Sequence, residues 1–192
     1  MIKNIFSRFI DIVFSIIFII FFFLLYIFLI FFIKFRIGSP VFFKQKRLGL
    51  NGKIFYLIKF RTFKNNKIIK KVAFLRKYKL DEIPQILNIL KGDMSIVGPR
   101  PLKIDYFKFI NKNFKLRLRL KPGLTGMVQI NPHIKDWSEY FEKDLEYIKK
   151  KTFLLDLKIV LITIFSLNSY KSSPQLIDLN QYLKKRKLKK YI

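Results

Sequence analysis

The feature that most constrains this chain is an unbroken apolar run. Residues 12–33 hold 22 side chains and no charge. As one helix they reach roughly 33 Å at about 1.5 Å per residue. The hydrocarbon core of a bilayer is about 30 Å thick, so such a helix inserts into a membrane. The run is too long for the apolar part of a signal peptide, and no small-residue cleavage site follows it. Lys3 and Arg8 precede it; Lys34, Arg36, Lys44, Lys46 and Arg47 follow. The heavier positive flank is C-terminal, which places residues 34–192 on the cytoplasmic side. Basic residues at both ends fit equally a helix that enters and leaves by one face. Asp11, at the start of the run, is costly in lipid and is expected at an interface or beside a cation such as Arg8. Three regions follow: a membrane-inserted helix over 1–36, a cytoplasmic domain over 37–170 and a basic tail over 171–192.

Charge narrows the partners. The 39 Lys and Arg outnumber the 12 Asp and Glu, giving +27. Such an excess favours nucleic acid, anionic lipid or a phosphorylated substrate. Alanine occurs once, at Ala73, while Lys, Ile, Phe and Asn abound; AT-rich coding gives the same skew, so charge alone does not choose. The absence of cysteine excludes disulfides, thiolate catalysis and Cys-based zinc sites. The only histidine, His133, reads as structural or exposed, and the Gly-x4-Gly-Lys-Ser/Thr phosphate loop is missing.

Local patterning predicts an α+β, mostly helical, membrane-associated fold. Val41–Gln45 and Ile54–Phe60 read as strands joined at Asn51-Gly52, since both turn residues tolerate positive φ. Glu82–Leu90 reads as a helix stopped by Gly92. Residues 104–120 carry helical spacing, Lys121–Gly126 a loop, and Trp137–Lys151 a second helix. Phe153–Leu167, nearly all apolar and broken by Asp156 and Lys158, is either an interfacial helix or a core helix. The run Lys184–Lys190 is either a solvated tail or an attraction to anionic lipid.

Two constellations could carry chemistry. Leu80-Asp81-Glu82-Ile83-Pro84-Gln85 places two of the twelve acids side by side in basic surroundings. Asp81 as a helix N-cap, with Glu82 and Pro84 in the first turn, explains them structurally. Alternatively, a carboxylate attacks phosphorus to form an acyl phosphate, or ligates Mg²⁺, which prefers oxygen. Lys91–Pro101 contains two glycines and two prolines; Pro99 and Pro101 restrict the backbone around Arg100, whose guanidinium suits bidentate phosphate binding. Lys121–Gly126 is a further constrained loop, and Lys59-Phe60-Arg61-Thr62 adds two cations.

Together these stretches resemble the bacterial sugar transferase family, the monotopic polyprenol-phosphate phosphoglycosyl transferases of the small catalytic-core type. The matching pieces run in family order: Gln45-x-Arg47-x-Gly49, Lys59–Thr62, Leu80–Gln85, Lys91–Pro101, Pro122–Gly126 and Asp156-Leu157-Lys158-Ile159. The resemblance implies transfer of a phospho-sugar from a UDP-sugar to polyprenyl phosphate with release of UMP, at the cytoplasmic face of a bacterial inner membrane. It implies Asp81 as covalent nucleophile and Mg²⁺ ligand, with Glu82 assisting. Lys59, Arg76 and Arg100 would bind phosphate, supported by the loops of Pro99, Pro101, Pro122, Gly123, Thr125 and Gly126. Membrane lipid and downstream glycosyltransferases are the further partners; nucleic acid is not one. Two departures stand out. Many members carry a proline midway in the hydrophobic helix, whereas residues 12–33 have neither proline nor glycine, so a straight span is expected beside the re-entrant form. Residues 63–79 are short, which trims the lid over the sugar. A catalytically impaired scaffold of the same fold and a basic, membrane-tethered nucleic-acid binder are the alternatives.

Overall fold

The computed structural model of the protein describes residues 2–65, 67–109, 114–134 and 136–166. The tail over 171–192, with its basic run 184–190, lies outside the described residues. The chain forms two compact units: Met1–Gln45 with Tyr56–Gly92, and Lys46–Phe55 with Asp93–Ile192.

The first unit begins with α1 (Ile2–Phe21) and α2 (Phe23–Ile37). The expected single helix over 12–33 is broken at Phe22, and the two halves are bent by 66°. No single helix among the described residues is long and apolar enough to cross a membrane; the bent pair together has the length and composition. Phe22 carries the break at φ −101°, ψ 13°. The Phe22 amide still donates to the Phe18 carbonyl (2.9 Å) and the Tyr26 amide to the Phe22 carbonyl (2.8 Å), so the bend sacrifices little hydrogen bonding. Its cause is tertiary. The Arg8 guanidinium of α1 donates to the carbonyls of Ile89 (2.5 Å) and Leu90 (2.6 Å). These are last-turn carbonyls of α4 (Ile86–Lys91), where a cation also meets the negative end of the helix dipole. On α2, Leu29 and Ile33 are buried with Phe60, Val72 and Leu75. The Tyr26 ring lies 5.6 Å from Phe60 and 6.4 Å from Phe42. Each half answers to its own partner, and no proline is needed. Arg8, a possible partner of Asp11 by sequence, is thus engaged with α4; Asp11 itself is buried, and Ser15 Oγ donates to its carbonyl (2.6 Å).

β1 (Phe42–Leu48) and β2 (Ile54–Phe60) form the hairpin that Asn51-Gly52 predicts, with positive φ at both turn residues. A two-residue pair, β3 (Phe63–Lys64) and β4 (Lys67–Ile68), follows in antiparallel register, then the short α3 (Ala73–Lys77). The predicted helix over 82–90 is α only from Ile86; Leu80–Gln85 winds as a 3₁₀ helix.

In the second unit, β5 (Ser95–Val97) pairs in parallel with β6 (Gly123–Thr125). This corrects the expectation of a loop over 121–126: a strand this short has no periodicity and exists only through a partner distant in sequence. The glycines permit the approach. A Cβ on Gly98 would collide with the Lys121 carbonyl, one on Gly123 with the Gly98 amide, and one on Gly126 with the Gly98 carbonyl. The helical spacing over 104–120 becomes two 3₁₀ segments, Ile104–Phe109 and Phe114–Arg119. α5 (Trp137–Lys150) starts at Asp136, whose carboxylate accepts from the Glu139 amide (3.0 Å). Its Trp137, Tyr140 and Phe141 fill the core with Leu48, Leu102, Tyr106, Val128 and Ile134. α6 (Phe153–Ser166) has two faces. Asp156 accepts from the buried Tyr147 hydroxyl (2.6 Å), Thr163 bonds Thr125 (2.6 Å) and Ile159 is fully buried. Leu154, Leu157, Leu161, Ile164 and Phe165 are exposed. The buried face fits the core-helix reading of this segment, and the opposite, apolar face is exposed.

Candidate active site

The first unit builds a site around Asp81. The expectation that Asp81 caps a helix fails: Lys79 and Gln85 occupy the N-cap positions of the 3₁₀ segment and α4, and neither start has a side-chain cap. Asp81 instead lies within the 3₁₀ turn, only 6% exposed. Burial without a capping role is expensive for a carboxylate. It pushes the Asp81 carboxyl up to about 6, with Glu82 adding to the rise and the Lys59 and Arg76 charges opposing it.

Glu82, the neighbour, is held. Lys59 Nζ on β2 lies 2.5 Å from Glu82 Oε1. This meeting depends on Asn88, which sequence reading missed. Its Oδ1 accepts from the Ile58 amide (3.0 Å) and its Nδ2 donates to the Tyr56 carbonyl (2.8 Å). The fully buried amide thus extends the hydrogen bonding of β2 and fastens α4 beside Lys59. A lone Asn on the apolar helix Ile86-Leu87-Asn88-Ile89-Leu90 was the available clue. Arg76, exposed on α3, stacks its guanidinium 4.3 Å from the Phe63 ring centroid. Arg61 is occupied elsewhere: it donates to the carbonyls of Ile37 (2.8 Å) and Gly38 (2.6 Å) at the end of α2. An apolar cavity of about 50 Å³ lies at the helix break, lined by Phe18, Phe22, Phe23, Tyr26, Ile83 and Leu87 among others. Ile83 follows Asp81-Glu82 directly.

The structure therefore gathers Asp81, Glu82, Lys59 and Arg76 in one unit. Arg100, Pro99, Pro101, Pro122, Gly123, Thr125 and Gly126 belong to the other. There Arg100 is half-buried, while the three prolines and the two glycines are buried. His133 is exposed, as expected. A residue without a sequence signal stands beside Arg100: Arg117, buried, donates from Nη2 to the Arg100 carbonyl (2.7 Å). The same Nη2 lies 2.6 Å from Oδ2 of the buried Asp144. Burial raises the Asp144 carboxyl to about 6 against the pull of Arg117.

A divalent ion has few protein ligands to choose from. Among the described residues no three His, Asp or Glu cluster. Asp81 with Glu82 at its side suits Mg²⁺, which often takes one or two carboxylates and completes its shell with phosphate and water oxygens.

Comparison with known proteins places the chain in a family. Residues 2–169 match the family described as bacterial sugar transferase. The chain belongs to that family. The sugar transferase EpsL of Bacillus subtilis, itself named as uncharacterized, is 43% identical over 145 residues, 69% of this chain and 72% of EpsL. The galactosyl transferase CpsE of Streptococcus agalactiae is 36% identical over 82% of this chain. An Escherichia coli UDP-glucose:undecaprenyl-phosphate glucose-1-phosphate transferase is 32% identical over 85%. This chain spans only 41% of CpsE and 40% of the E. coli enzyme.

Proposed function

We propose that this protein is a membrane-bound phosphoglycosyl transferase that moves a phospho-sugar from a UDP-sugar to a polyprenyl phosphate and starts a membrane-linked glycan. The observation that carries the reading is Asp81. It is a buried carboxylate that caps no helix, feels the charges of Lys59 and Arg76, and sits in a chain of this family.

In the first step an Asp81 carboxylate oxygen attacks the phosphorus that bears the sugar. The bond from that phosphorus to the bridging oxygen breaks, and UMP leaves with the electron pair. The product is an acyl phosphate on Asp81. In the second step an oxygen of polyprenyl phosphate attacks the same phosphorus and the Asp81 carboxylate is restored. Glu82, oriented by Lys59, takes the proton from the acceptor phosphate. Arg76 binds phosphate oxygens in its own unit, and the family resemblance assigns the same task to Arg100 in the other. Mg²⁺ bound at Asp81 would neutralise phosphate charge. The apolar cavity beside Ile83 gives the first carbons of the polyprenyl chain a dry seat. The bent apolar pair α1–α2 and the exposed apolar face of α6 suit the cytoplasmic face of a bacterial inner membrane, which brings the lipid acceptor to the enzyme.

UMP release from UDP-glucose, UDP-galactose and UDP-N-acetylglucosamine with undecaprenyl phosphate tests the reading. Wild type should release UMP with at least one donor, and donor labelled in the phosphate next to the sugar should leave label on the protein. Asp81→Asn should abolish both. Turnover by Asp81→Asn within tenfold of wild type would overturn the nucleophile assignment. Absence of UMP release by wild type, with lipid binding retained, favours the impaired scaffold.

A further inference from the structure

The segment Pro99–Leu102 is pinned at four successive carbonyl oxygens. The Pro99 carbonyl accepts from the Gly123 amide (3.0 Å) and the Leu102 carbonyl from that of Leu48 (3.1 Å). Between them, the Arg100 carbonyl accepts from Arg117 Nη2 (2.7 Å) and the Pro101 carbonyl from Arg47 Nη1 (3.1 Å). Two prolines flank Arg100 and fix their own φ angles. The backbone around Arg100 is held on every side.

Arg117 is an unusual clamp. Its guanidinium is buried, stands 5.6 Å and 5.5 Å from the ring centroids of Tyr140 and Phe141, and is balanced by Asp144. Its Nε and Nη1 have no hydrogen-bond partner among the described residues. Apolar side chains of similar volume fill such a space at no loss of stability, and often with a gain. Packing therefore does not call for this pair; among the described residues Arg117 donates to the Arg100 carbonyl.

We propose that Arg47 and the buried Arg117–Asp144 pair are positioning residues that hold the Arg100 backbone so that its guanidinium meets a phosphate group of the substrate. The inference rests on the assignment of Arg100 as a phosphate ligand. It accounts for Arg47, whose Nη1 holds the Pro101 carbonyl, and for Arg117 and Asp144, which carry no local motif. Arginine suits the work because its planar fork reaches a carbonyl while its charge stays compensated.

The test is a pair of double-mutant cycles on the full chain in lipid nanodiscs, using the UDP-sugar that gives the fastest wild-type UMP release. Arg47→Ala, and separately Arg117→Met with Asp144→Leu, should each lower kcat/KM about tenfold, mainly through KM. Thermal unfolding of both variants should stay near wild type, which separates positioning from loss of fold. In an Arg100→Ala background the same substitutions should change kcat/KM less than twofold, because the group they position is gone. Equal losses in both backgrounds would overturn the inference. So would unchanged kcat/KM in the single-background variants while Arg100→Ala is impaired. If Arg100→Ala itself matches wild type, the phosphate role of Arg100 falls and this inference with it, while the Asp81 chemistry stands or falls on its own variant.

Discussion

Asp81 and Asp144 make an instructive pair. Both are buried aspartates, and burial raises both carboxyls to about 6. They differ in company. Asp144 has a guanidinium at 2.6 Å, itself held by the Arg100 carbonyl and two aromatic rings. Asp81 makes no ion pair within 4.0 Å among the described residues; Lys59 and Arg76 act on it from farther off, and the close contact of Lys59 goes to Glu82. Burial alone thus does not make a carboxylate reactive. The clamped carboxylate is committed to its cation; the one whose cations stand farther off is not held in an ion pair.

The comparison can be broken at either end. The largest effect should come from Asp81→Asn, which removes the attacking oxygen; a loss of UMP release above about 10³-fold is expected if the covalent step carries the rate. At the other aspartate the effect should appear in folding. Arg117→Met leaves Asp144 buried without its cation and should cost about 3–5 kcal/mol in denaturant unfolding. Adding Asp144→Leu should recover most of that loss, because the charge is then gone with its partner.

A smaller effect sharpens the contrast. The folded Asp81 pKa lies above its ordinary value of 3.8, so the fold holds the proton more tightly than the unfolded chain. Ionised Asp81 therefore costs stability once the pH rises through about 6, and costs nothing below the unfolded value. Asp81→Asn should stabilise the protein at pH 8 by on the order of 2 kcal/mol and leave it nearly unchanged at pH 4. Equal unfolding midpoints for both proteins at pH 8 would contradict this. Smallest is the rate profile. The attacking form is the carboxylate, so kcat/KM of wild type should fall on acidification through about 6. At pH 5 it should stand about tenfold below its plateau.

Much of this was legible locally. Asn51-Gly52 announced its hairpin because positive φ is a property of two residues. The helix over 137–151 announced itself through its spacing and was found at Trp137–Lys150. The acids at 81–82 were conspicuous by rarity in a chain of +27. The rest depends on residues far apart. Asn88 matters because it reaches Tyr56 and Ile58, some thirty positions away. Arg117 matters because it meets Arg100 and Asp144, and nothing in its neighbourhood marks it among 39 basic residues. The parallel pairing of β5 with β6 joins two three-residue segments too short to show a period.

The sequence by itself determined that the N-terminus is apolar and helical, that the chain is basic, that Asp81-Glu82 is singular and that its motifs are those of the bacterial sugar transferases. These are properties of composition and local spacing. The tertiary structure decided that the apolar helix bends at Phe22, since α1 is drawn to α4 while α2 is drawn to Phe60 and Leu75. It also decided which carboxylates are held in ion pairs and which are not. Backbone carbonyls offered by a distant turn choose an arginine's role, and no run of neighbouring residues records where those carbonyls will be.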